Sequence, residues 1–112
     1  MSDVVVRVQT ALDCAAAALD AAAGSSSLCS LSRSGVPMPG VKYPEGAWAA
    51  LRDAQRALRS GGDQQGQIWA VRDRWRADLV SHERRGSGPD WIAYLTGGID
   101  ALDGVLEELS LT

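Results

Sequence analysis

Apolar side chains return every three or four residues along the last stretch of the chain. Ile92, Ile99 and Leu106 hold one position of a seven-residue repeat, and Leu95, Leu102 and Leu109 hold the other. A helix gathers residues at that spacing onto one face, whereas a strand sends alternate residues to opposite faces and scatters the set. Gly97 and Gly98 interrupt the run, at a cost of about 1 kcal/mol each relative to alanine. The seam keeps its phase across them, which predicts one continuous helix from Pro89 or Asp90 to about residue 110, kinked at most.

The same repeat opens the chain. Between Asp3 and Ala23, Val5, Leu12 and Leu19 share one core position and Val8, Ala15 and Ala22 the other, with Ser2 placed to cap the start and Gly24 the end. The alanine row lets a neighbouring helix approach closely. Residues 24–42, "GSSSLCSLSRSGVPMPGVK", show no period and are rich in Ser, Pro and Gly, which favour turns over helix. This stretch reads as a flexible linker between helices 1 and 2, and connections of this length are usually functional or disordered.

Two central helices complete the layout. One begins at Tyr43-Pro44-Glu45 with proline at the first helical position, runs to about residue 60, and turns Ala47, Trp48, Leu51, Ala54 and Leu58 inward. "SGGD" at 60–63 separates it from the other, capped by Asp63 and closed by Arg84, Arg85 and Gly86. In that helix Ile68, Val71 or Arg72, Trp75, Leu79 and His82 fall on one stripe. The spacing also allows Arg74 to pair with Asp78, and Asp73 with Arg76, along the helix. The expectation is all-α: a four-helix bundle near 3–23, 44–60, 64–85 and 90–110, forming a single helical domain over residues 1–112. A chain of 112 residues is long enough to bury one core without a metal or disulfide staple.

Charge narrows the function classes. Net charge −3 argues against a dedicated nucleic-acid binder. Both terminal helices are acidic, and the last carries Asp90, Asp100, Asp103, Glu107 and Glu108 with no basic residue, while the central pair holds eight arginines. Acidic outer helices beside a more basic hairpin satisfy one another within a bundle. Ten of the eleven basic residues are arginine, and Asn and Phe are absent. That bias follows GC-rich codons and points to a bacterial or bacteriophage source. The start, with Asp3, Asp13 and Asp20 breaking its apolar run, does not read as a signal peptide, and no window suits a membrane span. The expected location is the cytoplasm. Cys14 and Cys29 read as free thiols, although a returning chain could bring them together.

Catalytic and cofactor signals are weak. His82 has Asp78 one turn before it and Glu83 beside it, an arrangement that can orient an imidazole, but no nucleophile stands at a recognisable spacing. Two cysteines and one histidine are too few for a structural zinc site, and a di-metal carboxylate bundle needs a Glu-x-x-His that is missing. "TGGIDALDG" lacks the strand and lysine of a nucleotide loop. Gly98 reads instead as a helix-crossing glycine making room for Trp91, Trp48 or a partner's side chain. No enzyme, cofactor or metal is expected.

The tryptophans carry the strongest functional signal. Trp48, Trp69, Trp75 and Trp91 are more large aromatics than a core of this size encloses. With Trp48 and Trp75 inside, Trp69 and Trp91 remain at the surface beside Arg72 and Arg76, and exposed Trp with Arg is the composition of protein-protein hot spots. Trp69, Arg72, Arg76 and Trp91 are therefore the candidate partner-binding residues, the partner being another protein or a second copy. The alternative is a small DNA- or RNA-binding regulator using the same helix, with Arg on phosphate and Trp on a base. Asp73, Asp78 and Glu83 among those arginines weigh against it.

Overall fold

The computed structural model describes residues 3–23 and 39–110. Among the described residues there are four helices, α1 (Asp3–Ala23), α2 (Pro39–Leu58), α3 (Gln64–Arg85) and α4 (Pro89–Ser110), and no strand. The fold is an all-α four-helix bundle, as the apolar periodicity requires. Residues 24–38, which hold most of the expected connection and Cys29, lie outside the described residues. Cys14 is exposed on α1. No helix among the described residues is long and apolar enough to cross a membrane.

The start of α2 corrects the sequence reading. The helix begins at Pro39, so Pro39 takes the first-turn position that was assigned to Pro44, and residues 39–42 are helix rather than linker. Pro44 sits inside the helix, where it has no N–H to offer the carbonyl four residues back. Asp63 stands at the α3 N-cap in extended backbone but makes no side-chain cap hydrogen bond. Its carboxylate lies instead over Gly66, where a side chain would otherwise project. At the other end Gly86 adopts the left-handed conformation that glycine reaches without strain. Its N–H bonds the Glu83 carbonyl and that of Ser87 bonds the His82 carbonyl, the paired closure of a Schellman end.

The core gathers Val8, Leu12 and Ala15 from α1, Ala50, Leu51, Ala54 and Leu58 from α2, and Ile68, Val71 and Trp75 from α3. From α4 come Leu95, Ile99, Leu102, Val105, Leu106 and Leu109. The α4 seam is enclosed almost as its heptads imply, with Ile92 half-buried at the end. The α1 seam is enclosed at Val8, Leu12 and Ala15, with Val5 half-buried before them, and then runs out: Leu19 is half-buried and Ala22 exposed. Val71, not Arg72, takes the core position on α3. Trp48 is a second correction. It is 39% exposed, and Ala50 occupies the interior of α2 instead.

The reason is a close crossing. α2 and α4 share the broadest contact, α1 lies mainly on α2 and only lightly on α4, and α3 packs on α4 and then α2. A Cβ on Gly46 would meet the Tyr94 carbonyl oxygen at 1.7 Å, and one on Gly97 would meet the Tyr43 carbonyl oxygen at 2.0 Å. Each glycine follows a tyrosine by three residues and packs on the backbone of the tyrosine in the other helix. The crossing is thus reciprocal, with a Cα–H directed at each carbonyl, a contact common where helices touch. At Gly98 a Cβ would lie 2.4 Å from the Trp75 ring and 3.0 Å from Ala50. The neighbour that Gly98 makes room for is therefore Trp75, rather than Trp91 or Trp48. Two helix backbones this close leave no room for an indole on α2, and an alanine fills the site.

Candidate partner-binding surface

Trp75 is the pivot of α3. It is 8% exposed, rests on Gly98, stacks on Tyr94 with ring centroids 5.4 Å apart, and donates its indole N–H to Asp53 Oδ2 at 3.0 Å. A buried indole needs such an acceptor, because an unpaired N–H out of water costs about 1 to 3 kcal/mol. Asp53 is also paired with Arg56 on its own helix. Locking Trp75 inward fixes the rotation of α3 and so decides what its other faces show. Trp69, six residues earlier, is turned to the surface.

Trp69 is 49% exposed, and the Arg72 guanidinium lies over its ring at 5.7 Å. Arg72 also donates from Nε to Asp103 Oδ1 of α4 at 2.8 Å and sits 3.6 Å from Asp73. Two carboxylates thus answer its charge. The Trp69 ring and Arg72 form one wall of an open groove of about 470 Å³, completed by Gln65 on α3 and by Asp103, Leu106, Glu107 and Ser110 on α4. Glu107 is exposed and makes no ion pair among the described residues, while Leu106 gives the groove an apolar floor. Arg76 is exposed on α3 one turn beyond Arg72 and has no ion pair among the described residues.

Trp91 belongs to a different place. It is 55% exposed, stacks on His82 at 5.0 Å and meets Tyr94 edge-on at 6.1 Å. His82 lies thirteen residues beyond Trp69 on α3, which at the helical rise of 1.5 Å per residue is about 20 Å away. The structure therefore sets Trp69, Arg72 and Arg76 along one face of α3, with Trp69 and Arg72 at the groove, Arg76 near the middle of the helix and outside the groove lining, and Trp91 at the other end of the hairpin. The partner of the His82 ring is Ser87, with Nδ1 to Oγ 2.8 Å, not Asp78. The imidazole closes the α3–α4 turn. Among the described residues, no three His, Cys, Asp or Glu side chains converge as metal ligands would.

The charges pair differently from the helical spacing. Neither Arg74 with Asp78 nor Asp73 with Arg76 forms an ion pair; Asp73 meets Arg72 instead. Across helices Asp103 is answered by Arg72 of the central hairpin, but Glu108 is answered at 3.4 Å by Arg7 of α1, the other acidic helix. Asp100 accepts from the Tyr43 hydroxyl across the α2–α4 crossing. That hydrogen bond, with burial and the carboxylate charge behind it, pushes the Tyr43 phenol up to about 12. Burial raises Tyr94 as well, helped by the charges of Glu45 and Asp53. On α2 Trp48, expected inside, instead carries Arg52 over its ring at 5.6 Å, which makes a second Trp–Arg pair.

The residues that sequence reasoning missed are Leu106, Glu107, Ser110 and Gln65. Heptads identify Leu106 as a seam residue, but only packing shows that the end of α4 lies along the start of α3 and leaves a groove between them. No family model matches this chain, and no curated protein or solved structure matches it.

Proposed function

We propose that this chain is a non-enzymatic interaction module that binds another protein, or a second copy of itself, through the Trp69 end of the α3–α4 hairpin. One observation carries the reading: a half-exposed tryptophan, overlaid by an arginine, borders an open groove with an apolar floor. Indole and guanidinium are the side chains that most often dominate binding energy at protein interfaces. Arg76 extends the same face by one turn, and Trp91 offers a second, separate contact at the far end. The arginine-rich, lysine-poor composition is the ground for a bacterial or bacteriophage source; it bears on ancestry alone, and the role proposed is that of an accessory or assembly component of a multi-protein system in the cytoplasm.

The test replaces Trp69 and Arg76 with alanine and measures binding to proteins captured from the native host, alongside the far-ultraviolet circular dichroism of the variant. Loss of a hot spot worth about 2 kcal/mol weakens binding roughly thirtyfold, with helix content unchanged. Undiminished capture by the double variant would remove this surface from consideration. The DNA- or RNA-binding reading makes a different prediction, namely an affinity for nucleic acid that collapses as salt rises, because phosphate contacts release counterions.

A further inference from the structure

We propose that the groove beside Trp69 receives an arginine side chain of the partner protein; this rests on the interaction-module reading above. The lining residues define the chemistry. Leu106 is 8% exposed and forms an apolar floor, Trp69 offers an aromatic wall, and Glu107 and Ser110 stand on the α4 side. An arginine has a matching anatomy, with a methylene stem that lies on apolar surface and a charged head that seeks a carboxylate. The ring of Trp69 already holds one guanidinium, that of Arg72, at 5.7 Å, so its environment accepts a cation against the indole.

Charge complementarity selects this occupant. Arg72 is met by both Asp103 and Asp73, and among the described residues no cation pairs with Glu107. The side chains around the groove therefore carry a surplus of negative charge, and α4 contributes no basic residue to reduce it. An apolar occupant would draw Glu107 out of water with nothing to pair it, and an acidic one would face it directly. A guanidinium supplies the missing charge, and its donors suit the Glu107 carboxylate and the Ser110 hydroxyl.

The experiment follows amide and indole resonances of the full chain by nuclear magnetic resonance during titration with a blocked Ala-Leu-Arg-Leu-Ala peptide at millimolar concentration. The controls carry citrulline, the neutral isostere, or glutamate at the centre. The arginine peptide shifts the Trp69 indole and the amides of Leu106, Glu107 and Ser110, and the citrulline peptide binds at least about threefold more weakly. Glu107→Gln removes that preference, and Trp69→Phe weakens the arginine peptide by about threefold. Glu107 is exposed, so its variant folds whether or not a Trp69 variant does. Equal response to arginine and citrulline, shifts clustered at Trp91 or Trp48, or no shifts at all would overturn the proposal. Self-association of the chain that Glu107→Gln abolishes would overturn it too, since the groove would then belong to a second copy. Failure here with continued loss of partner capture by the Trp69/Arg76 variant rejects the arginine occupant alone; failure of both rejects the interaction surface itself.

Discussion

Trp75 and Tyr43 show how single side chains set the geometry of this bundle. Trp75 joins three helices, through Asp53 on α2 and through Tyr94 and Gly98 on α4. Tyr43 ties α2 to α4 from outside the core by donating to Asp100. Its phenol is raised from the model-compound value of 10.0 to about 12, so the folded state favours the neutral form. The resulting stabilisation is fully present below pH 10 and is lost as pH rises from 10 to 12, where the unfolded chain ionises first. Tyr43 is exposed, so the effect is modest. Between pH 10 and 12 the urea midpoint of the native chain should fall further than that of Tyr43→Phe, and parallel declines would show that the hydrogen bond has no weight.

At the scale of elements, the α2–α4 crossing decides which glycines are required. Gly46 and Gly97 each lie against a tyrosine backbone carbonyl of the opposite helix, and neither carbonyl can move without displacing its helix. Gly46→Ala should destabilise the protein by about 1 to 3 kcal/mol or more through overpacking. Gly104, on the same helix as Gly97, has nothing within 4 Å of a would-be Cβ. Gly104→Ala should therefore stabilise by about 0.5 to 1 kcal/mol, because glycine in a helix interior loses more backbone freedom on folding. Chemical denaturation of both variants measures the contrast, and the same sign for both would contradict the crossing. The paired Tyr-x-x-Gly segments, 43–46 and 94–97, look unremarkable in sequence because the glycine in each reads as a defect in a helix. They become a matched contact only when the two helices meet.

On the scale of the whole molecule, burial is uneven. α2 and α4 form the broadest interface, α3 joins both, and α1 rests mainly on α2 with little hold on α4. The last turns of α1 are also weakly covered, with Ala17, Ala18, Ala21 and Ala22 exposed. Regions with few buried apolar contacts open at the lowest free energy. Amide hydrogen exchange should proceed fastest in the second half of α1 and slowest at the centres of α2 and α4; equal protection of α1 and α4 would refute this ordering. Among the described residues, Arg7, half-exposed between Asp3 and Glu108, makes the ion pair between α1 and α4, and surface pairs of this kind contribute at most about 1 kcal/mol.

Local periodicity determined the number, kind and approximate ends of the helices, because the three-to-four spacing of Ile92 through Leu109 and of Val5 through Ala15 is a property of one segment and its own backbone. It also identified Trp75 as interior and Trp69, Arg72, Arg76 and Trp91 as candidate surface residues. Tertiary structure alone decided that Trp48 faces outward, that Trp69 and Trp91 stand at opposite ends of the hairpin, and that Leu106 and Glu107 complete a groove with Trp69. Those outcomes depend on how closely two helices approach and how each is rotated. Such distances are set by glycine and alanine at the crossing and by one indole reaching Asp53, and spacing along a single helix does not encode them.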